Sequence, residues 1–256
     1  MKVSVVIANY NSSSYIQQCI DSLNSQTYKN LEIIFFDDNS SDNSLDIIRK
    51  FSNVKIIENK VQTKFGSINQ LNAFKKAVEI SDGDIIFLLD GDDYFKNEKI
   101  EKVVHYFQDN KKANIVFDYP IMVEGDKILN VRARNNIFKT YWPYIHPTSC
   151  ISIKRDCFNE LIKFISIKDF TDVWIDLRIC LFSKYILKEF HILNENLTFY
   201  RKTNSNISSN FVKFSKNWWK RRRQSHQFFQ KFAEDNKINF SKNFDFFLTK
   251  MICKFL

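Results

Sequence analysis

Glycine and proline are scarce in this 256-residue sequence, which contains four Gly and three Pro. That scarcity excludes collagen-like repeats and argues against long disordered linkers. Hydrophobic residues make up 44% of the chain and aromatic residues 16%, which is enough apolar material to fill a core. The length suits one large α/β domain, or one domain with a C-terminal appendage.

A glycine-rich turn is missing after the first apolar run, where the sequence continues as Asn9-Tyr10-Asn11-Ser12. A dinucleotide-dependent oxidoreductase needs glycines here, so that the backbone can approach the pyrophosphate. A nucleotidyltransferase that makes activated sugars normally carries a glycine-rich phosphate loop at the same point. The missing glycines therefore disfavour an oxidoreductase. A nucleotidyltransferase remains an alternative, because such an enzyme could have the same kind of sheet and an acidic pair.

Paired cysteines and long apolar stretches are also missing. The five Cys are odd in number and none has CxxC spacing, so we expect free thiols in a reducing compartment and no zinc site. No window approaches the roughly 18 uncharged apolar residues of a membrane span, and the apolar start of the chain is too short for a signal peptide. These absences predict a cytoplasmic protein without a transmembrane segment.

Short apolar runs alternate with segments of helical period in the first half of the chain. Because both faces of the runs are apolar, they predict strands buried in a mostly parallel sheet with right-handed crossovers. The predicted strands cover residues 3–8, 31–36, 54–57, 85–89 and 115–117, and the predicted helices cover 13–23, 41–51, 68–80 and 97–107.

The alternation breaks beyond Tyr119. Residues 124–126 (Glu-Gly-Asp) predict a hairpin turn, and the basic, aromatic residues 132–148 with two Pro predict a loop. The remaining predictions are a strand at 150–153, helices at 155–164 and 171–187, and a boundary near residue 210.

Polar clusters follow three of the predicted strands: Asn9 and Tyr10, then residues 37–41 (Asp-Asp-Asn-Ser-Ser), then residues 90–93 (Asp-Gly-Asp-Asp). Because binding in an open α/β sheet occurs at the carboxyl ends of the strands, we expect five carboxylates around one cleft. Close carboxylates repel unless a cation joins them, and oxygen clusters suit Mn²⁺ or Mg²⁺. Taken singly, each acidic cluster could also be an ordinary turn or helix cap.

Three segments together resemble the family 2 glycosyltransferases, which are inverting enzymes of the GT-A fold. They are residues 3–11 (Val-Ser-Val-Val-Ile-Ala-Asn-Tyr-Asn), 37–42 (Asp-Asp-Asn-Ser-Ser-Asp) and 87–93 (Phe-Leu-Leu-Asp-Gly-Asp-Asp). The resemblance covers roughly residues 1–205 and implies a GT-A-type α/β fold, with a mostly parallel central sheet flanked by helices. Residues 1–118 would form the nucleotide-sugar-binding half, 119–210 the acceptor and catalytic-base half, and 211–256 a basic, aromatic helical tail.

The resemblance implies a metal-dependent enzyme that moves a sugar from a nucleotide-diphosphate sugar, expected to be a UDP-sugar, to an acceptor hydroxyl. The acceptor would be a saccharide or lipid-linked saccharide in the assembly of bacterial surface polysaccharide or glycolipid.

Nucleotide contacts are implied position by position. Ala8 and Tyr10 would flank the nucleotide base, usually uracil in this family, and Asp38 would contact it. The chain has Leu71 where the family often has an Arg that touches the nucleotide, and nearby Lys64 could replace that Arg.

Carboxylates are implied to hold the metal. Asp90 would lie near the ribose and the metal. Asp92 would be the main ligand of the family's DxD motif for Mn²⁺ or Mg²⁺, and Asp93 would assist.

The segment that begins at Thr171 resembles the family's Glu-Asp-x6-Arg helix, in which the Asp is the catalytic base. That position is Asp172 here, and Thr171 replaces the usual Glu. The spacing predicts that Asp172, Asp176 and Ile179 share one helical face, with Asp172 at a helix N-terminus whose dipole keeps it ionised. An ordinary helix-capping Asp is the alternative.

A closing segment, Tyr200-Arg201-Lys202-Thr203, resembles the family's Tyr-Arg-x-His. Arg201 would reach the diphosphate or, alternatively, lie in a surface loop. Thr203 replaces the usual His, which puts a metal or phosphate contact from that position in question.

Aromatic residues supply candidate acceptor contacts. Trp142 and His146 in the predicted loop, together with Trp174, could touch a sugar acceptor, because aromatic rings stack on sugar faces. A buried His146 that serves only packing is the alternative.

The tail is strongly basic. Residues 211–256 carry 11 Lys or Arg against 3 Asp or Glu, whereas residues 1–210 carry 27 against 26. Residues 211–233 resemble an interfacial amphipathic helix, which predicts peripheral contact with an anionic membrane surface. The aromatic stripe consists of Phe211, Phe214, Trp218, Phe229 and Phe232.

Two alternatives remain for this tail. Its stripe could pack on the main domain, which is favoured by Arg222 pointing toward the stripe. A non-enzymatic membrane- or polyanion-binding protein could also use it. A nucleic-acid partner is not expected, because the predicted cleft is acidic.

Overall fold

A mixed β-sheet forms the centre of the protein. The computed structural model describes residues 1–125, 127–129, 142–166, 169–203 and 212–256. In these residues the strands lie in the order β3-β2-β1-β4-β8-β6-β9-β5, and β7 pairs with β6. They are β1 (Val3–Asn9), β2 (Leu31–Asp38), β3 (Val54–Asn59), β4 (Ile85–Asp90), β5 (Tyr94–Phe95), β6 (Ile115–Glu124), β7 (Lys127–Leu129), β8 (Ile151–Lys154) and β9 (His191–Arg201).

Parallel pairing joins the four N-terminal strands, because β1 pairs with β2 and β4, and β2 pairs with β3. Strand β8 is antiparallel to β4 and β6, and β9 pairs in parallel with β6. Neighbouring residues of β1 such as Val5 and Val6 are both fully buried, so both faces of the sheet are covered. The predicted mostly parallel sheet flanked by helices is confirmed.

Helices cover both faces of the sheet. One face packs against α1, α2 and α4, and the other against α3, α5 and α6. The helices are α1 (Ser13–Asn24), α2 (Ser44–Ile48), α3 (Gly66–Glu79), α4 (Lys99–Asp109), α5 (Arg155–Ile165), α6 (Ile175–Phe182), α7 (Lys216–Asp235) and α8 (Phe244–Ile252).

The predicted helix over residues 41–51 is wrong in extent, because only α2 forms there. The Asp42 carboxylate accepts hydrogen bonds from the backbone N–H of Ser13 at 2.9 Å and of Ser44 at 3.0 Å. These bonds hold the residues before α2 in a turn beside α1.

The predicted helix over residues 171–187 is also wrong in extent. It begins at Ile175 and ends at Phe182, and a π-helical turn, Ser183–Leu187, follows. Asp172 therefore lies in a turn before α6, and the predicted helical face that it shares with Asp176 does not form.

The second half of the chain contains a confirmed hairpin and a strand that the sequence pattern does not predict. Strands β6 and β7 pair antiparallel around Gly125, whose φ of 57° suits glycine. Asp126 of the predicted turn lies outside the described residues. Strand β9 was missed because its polar and apolar residues show no clean alternation, with buried and exposed positions mixed along its length.

The C-terminal helices pack on the main domain. Phe228, Phe229 and Phe232 of α7 are buried against residues around α6, including Leu177 and Leu181. Two residues of the predicted aromatic stripe, Phe229 and Phe232, thus match the packing alternative, whereas Phe214 is 63% exposed and Phe211 lies outside the described residues. In the described part of the chain, every helix is too short or too polar to cross a lipid bilayer.

Candidate active site

Asn9, at the end of β1, links the turns that follow β2 and β4. Its Nδ2 donates to Asp37 Oδ1 at 2.9 Å and to Ser40 Oγ at 3.1 Å. A Cβ placed on Gly91 would lie 2.6 Å from Asn9 Oδ1, so only glycine allows this close approach. The Asn9 amide therefore bonds to the turn after β2 and packs against Gly91 of the turn after β4, so the two acidic turns lie side by side, as expected from the carboxyl ends of neighbouring strands.

Asp38 is buried at the end of β2 with an amide on each carboxylate oxygen. Asn59 Nδ2 donates to Oδ1 at 2.7 Å, and Gln62 Nε2 donates to Oδ2 at 3.0 Å. Both amides come from the end of β3 and the loop after it. They fix the orientation of the carboxylate at the edge of the sheet.

The other predicted nucleotide-binding residues differ in exposure. Ala8 is half-buried, whereas Tyr10 is 51% exposed. Lys64 is exposed in the loop before α3, with its Nζ 5.2 Å from the centre of the Phe65 ring. Leu71 is buried in the apolar core.

Asp90 begins the acidic turn, residues 90–93, that follows β4. Gln70 Nε2 donates to Asp90 Oδ1 at 2.8 Å, and the Asp90 backbone N–H donates to Ser149 Oγ at 3.1 Å. Burial, reinforced by the charge of Asp92, raises the pKa of Asp90 to about 7. This carboxyl is therefore only partly ionised at neutral pH in the absence of a nearby cation.

Asp93 anchors the acidic turn from inside. Its Oδ1 accepts from the Arg201 backbone N–H at 2.8 Å, and its Oδ2 accepts from Ser149 Oγ at 2.6 Å. Burial, together with the charges of Asp92 and Asp90, raises the pKa of Asp93 well above its usual range. Both oxygens accept hydrogen bonds from the protein, and the predicted part of Asp93 in metal binding stays a prediction.

A buried ion pair supports this anchor. Lys99 Nζ lies 2.8 Å from Asp118 Oδ2 and donates to the Ser149 carbonyl at 2.6 Å and to Thr198 Oγ1 at 2.5 Å. Thr198 Oγ1 in turn donates to Asp118 Oδ1 at 2.7 Å. Because Ser149 also holds Asp93, the pair ties α4, β6 and β9 to the acidic turn.

Arg201, the last residue of β9, closes one side of the acidic turn. Its guanidinium donates to the Asp92 carbonyl at 2.8 Å and to Gln18 Oε1. The guanidinium also lies 4.8 Å from the centre of the Tyr15 ring and 4.7 Å from that of Tyr94. At 7% exposure Arg201 is not a surface-loop arginine, and its charge stands beside the turn.

The Asp92 carboxylate is half-buried, and within the described residues no neighbouring residue donates a hydrogen bond to it. Burial raises the pKa of Asp92 to about 6, although the charge of Arg201 opposes the rise. Two buried amide oxygens, Asn9 Oδ1 and Gln70 Oε1, also have no hydrogen-bond partner among the described residues.

The oxygens of Asp92, Asn9 and Gln70 are ligands of the kind that a hard divalent cation prefers. Nowhere in the described ranges do three His, Cys, Asp or Glu side chains converge to hold a metal ion by themselves. The fit is therefore to an ion such as Mn²⁺ or Mg²⁺ that takes most of its ligands from a bound diphosphate.

Asp172 receives its contacts from α7. Gln224 Nε2 donates to Asp172 Oδ2 at 2.8 Å, and the Asp172 backbone N–H donates to Gln224 Oε1 at 2.9 Å. Lys220 Nζ lies 3.8 Å from the same Oδ2. In the first turn of α6, burial raises the pKa of Asp176, whose charge in turn contributes to the raised pKa of Asp90. The charge of Asp176, in the segment that follows Asp172, thus acts on the acidic turn.

The predicted acceptor tryptophans lie in different surroundings. The Trp142 ring packs against His226 and Phe229 of α7, with centroids 5.1 and 5.9 Å apart. Trp174 is half-buried two residues after Asp172, and no ring contact of Trp174 occurs among the described residues. Of these two rings, Trp174 is the one that adjoins the predicted base.

His146 is fully buried and matches the packing alternative. Its Nδ1 donates to the Asp118 carbonyl at 2.8 Å, and its ring packs against Phe117 and Phe190. Burial lowers the pKa of His146, so the ring is neutral at pH 7. The earlier part of the predicted acceptor loop, residues 132–141, lies outside the described residues.

Several polar residues that orient the acids were missed by the sequence analysis. Gln70 holds Asp90, Ser149 holds Asp93, and Gln224 holds Asp172. The only signal for Ser149 is its place directly before an apolar strand. Gln70 and Gln224 lie within helices, where a Gln is most often a solvent-facing residue.

Comparisons with known proteins agree with this geometry. The family model for glycosyl transferase family 2 matches residues 4–175. An uncharacterized glycosyltransferase of Nostoc sp. is 28% identical over 218 residues, which cover 78% of this chain and 65% of that protein. The Escherichia coli UDP-Glc:alpha-D-GlcNAc-diphosphoundecaprenol beta-1,3-glucosyltransferase WfaP is 38% identical over 117 residues, 46% of this chain and 44% of that protein. The chain thus spans less than two thirds of either relative.

A solved structure shares the fold. The mannosyltransferase from Pyrobaculum calidifontis, in complex with GDP-Man and Mn²⁺, superposes with a TM-score of 0.61 at 15% identity. The superposition covers 96% of this chain and 66% of that chain. The predicted GT-A-type fold is confirmed, and with the family model matching most of its length, this chain belongs to glycosyl transferase family 2.

Proposed function

We propose that this chain is an inverting glycosyltransferase that moves a sugar from a nucleotide-diphosphate sugar to an acceptor hydroxyl. The observation that carries the proposal is the shared edge of β1, β2 and β4, where Asp38 and the acidic turn lie on either side of the buried Asn9 amide. A carboxylate held by two amides suits the N–H groups of a nucleotide base. The acidic turn suits a diphosphate that binds together with a cation.

The donor and acceptor classes are supported by a relative. The name of the E. coli relative specifies UDP-Glc as donor and a diphosphoundecaprenol-linked GlcNAc as acceptor. By analogy we propose a UDP-sugar donor and a saccharide or lipid-linked saccharide acceptor, within the assembly of bacterial surface polysaccharide or glycolipid.

In the proposed reaction, Asp172 accepts the proton of the acceptor hydroxyl while the acceptor oxygen attacks the anomeric carbon. The bond from that carbon to the diphosphate breaks as the glycosidic bond forms on the opposite face, so the configuration inverts. A general base of this kind contributes about 10²- to 10⁴-fold in rate. Asp38 would hold the base of the nucleotide, and Arg201 would add positive charge beside the diphosphate.

Asp92 would hold Mn²⁺ or Mg²⁺ jointly with the diphosphate oxygens, and such a cation, when bound, would stabilise the charge that develops on the leaving group. Asp90 would lie near the ribose. Asp93 would keep the turn in place through its buried hydrogen bonds.

Calorimetric titration with UDP, GDP, CDP and dTDP, with and without Mn²⁺, tests the nucleotide and the metal together. We expect UDP to bind most tightly, with binding weakened in the presence of EDTA and in Asp92→Asn. Equal binding of all four nucleotides, or binding that Asp92→Asn leaves intact, would contradict the proposal.

Replacing Asp172 with Asn tests the base. An Asn side chain can still accept the hydrogen bond from Gln224, so we expect the fold and donor binding to persist while turnover is lost. Near-normal turnover in Asp172→Asn would show that another group takes the proton.

We further propose peripheral contact with the anionic cytoplasmic leaflet of a membrane. In residues 211–233 the cations Lys213 and Lys216 are exposed, and α8 adds the exposed rings of Phe244 and Phe247. Cosedimentation with phosphatidylglycerol vesicles at low salt is the test, and phosphatidylcholine vesicles are the control. Failure to bind the anionic vesicles would end this part of the proposal.

A further inference from the structure

Gln224 of α7 binds Asp172 at two points. The Gln224 side chain accepts from the Asp172 backbone N–H at 2.9 Å and donates to the Asp172 carboxylate at 2.8 Å, across 52 residues of sequence. An amide that meets both groups fixes the turn and the rotation of the carboxylate together. The bonded oxygen is Oδ2, and among the described residues no donor contacts Oδ1.

The helix that carries Gln224 is firmly seated. Phe228, one turn further along α7, is fully buried, and the Arg178 guanidinium of α6 lies 4.9 Å from the centre of its ring. The Ser215 side chain caps the start of α7 by accepting from the Trp218 backbone N–H. Because α6 and α7 share one apolar cluster, Gln224 keeps a fixed place relative to the turn before α6.

We propose that Gln224 is a positioning residue that orients the Asp172 carboxylate for catalysis. The inference rests on the proposed function, in which Asp172 takes the proton from the acceptor. With Oδ2 held by a neutral amide, Oδ1 faces the acceptor hydroxyl in one orientation, and Gln224 itself exchanges no proton. Lys220 contributes less, because its side chain is 59% exposed and a pair of this kind is screened by solvent.

Gln224 lies outside the part of the chain that the family model matches, which ends at residue 175, whereas Asp172 lies within it. The base is therefore held by the C-terminal tail, and α7 becomes part of the active site rather than an appendage to it.

The test compares Gln224→Leu and Gln224→Glu with Gln227→Leu, a control on the exposed face of the same helix. Hydrogen–deuterium exchange follows the Asp172 amide. Release of UDP from UDP-glucose and UDP-N-acetylglucosamine, with water as acceptor, follows turnover. Thermal unfolding shows that each variant is folded.

We expect Gln224→Leu to speed exchange of the Asp172 amide about tenfold or more, because its acceptor is lost. The same variant should lower kcat about 10- to 100-fold with little change in KM for the donor, because the base is no longer aligned. In Gln224→Glu the acid limb of the rate profile should move to higher pH, because a second carboxylate opposes ionisation of the first. Gln227→Leu should behave like the wild type.

Two results would overturn the positioning role of Gln224 and leave the proposed function standing. One is unchanged exchange of the Asp172 amide in Gln224→Leu. The other is a wild-type kcat in Gln224→Leu and a wild-type pH profile in Gln224→Glu, while Asp172→Asn is inactive. If Asp172→Asn keeps its turnover, the proposed base is at fault instead. The two failures are therefore distinguishable.

Discussion

Replacing Asp90 with Asn is expected to stabilise the folded protein at alkaline pH while impairing its activity. The substitution keeps the shape of the side chain and an oxygen that can accept from Gln70 Nε2. The other hydrogen bond at this position uses the backbone N–H and is unaffected. The change therefore removes one charge from the acidic turn without opening a cavity.

The magnitude follows from the raised pKa of Asp90, about 7 in the folded protein against an ordinary 3.8. A group with a raised folded pKa binds its proton more tightly when folded, so stability is fully present below about pH 4 and declines as pH rises toward 7. At about 1.4 kcal/mol per pH unit the decline is at most roughly 4 kcal/mol. Because solvent reaches the half-buried carboxylate, we expect a gain of about 1–2 kcal/mol from Asp90→Asn at pH 8.

Thermal unfolding at pH 5 and pH 8, in EDTA and without nucleotide, is the assay. For a chain of this size the expected gain at pH 8 is about 3–6 °C in Tm, with a much smaller difference at pH 5. Asp109→Asn, at the exposed end of α4, is the matched control and should change neither value. If Asp90→Asn is less stable than the wild type at pH 8, the turn is not electrostatically strained and the reasoning is refuted.

Three further predictions concern the surroundings of the site. Lys99→Met should lower the free energy of unfolding in urea by about 3–5 kcal/mol, since it leaves buried Asp118 unpaired, and Asp118→Asn in the same chain should recover part of the loss. Gly91→Ala should cost about 1–3 kcal/mol and weaken UDP binding in calorimetry, because the new Cβ displaces Asn9; unchanged binding would contradict the close approach. Asp245→Asn should destabilise the protein at pH 7, and less so as pH falls toward 2. Burial raises the pKa of Asp245, but hydrogen bonds from His226 and Arg222 outweigh it and lower the pKa to about 2. The wild-type carboxylate therefore loses its charge near that pH. Acid titration of unfolding checks this.

The sheet and the acidic edge could be predicted from sequence because their signals are local. Uninterrupted apolar runs such as residues 85–89 mark strands that are buried on both faces, and polar clusters directly after them mark the carboxyl ends. The order of these runs along the chain then predicts which turns meet. Asn9 and Asp37 face each other in the register of β1 and β2 as this logic requires.

The beginning of α6 could not be predicted, because it depends on a distant residue. Every residue of the helix except Asp176 is buried, so no apolar stripe marks where the helix starts. The turn at Asp172 is set by its backbone hydrogen bond to Gln224, which lies far along the chain. The contacts of the tail could not be predicted for the same reason. The position of Arg222 toward the aromatic stripe was a usable local signal for packing of the tail, because the Arg222 side chain bonds to Asp245 of α8.

The acidic turn is completed by the last strand of the sheet. Asp93 receives its backbone hydrogen bond from Arg201, which follows it by 108 residues. A nascent chain that has emerged only as far as β8 therefore lacks one of the two donors that hold Asp93, and long-range closure of this kind is slow. The full set of hydrogen bonds around Asp93 thus forms only after residue 201 has been synthesised.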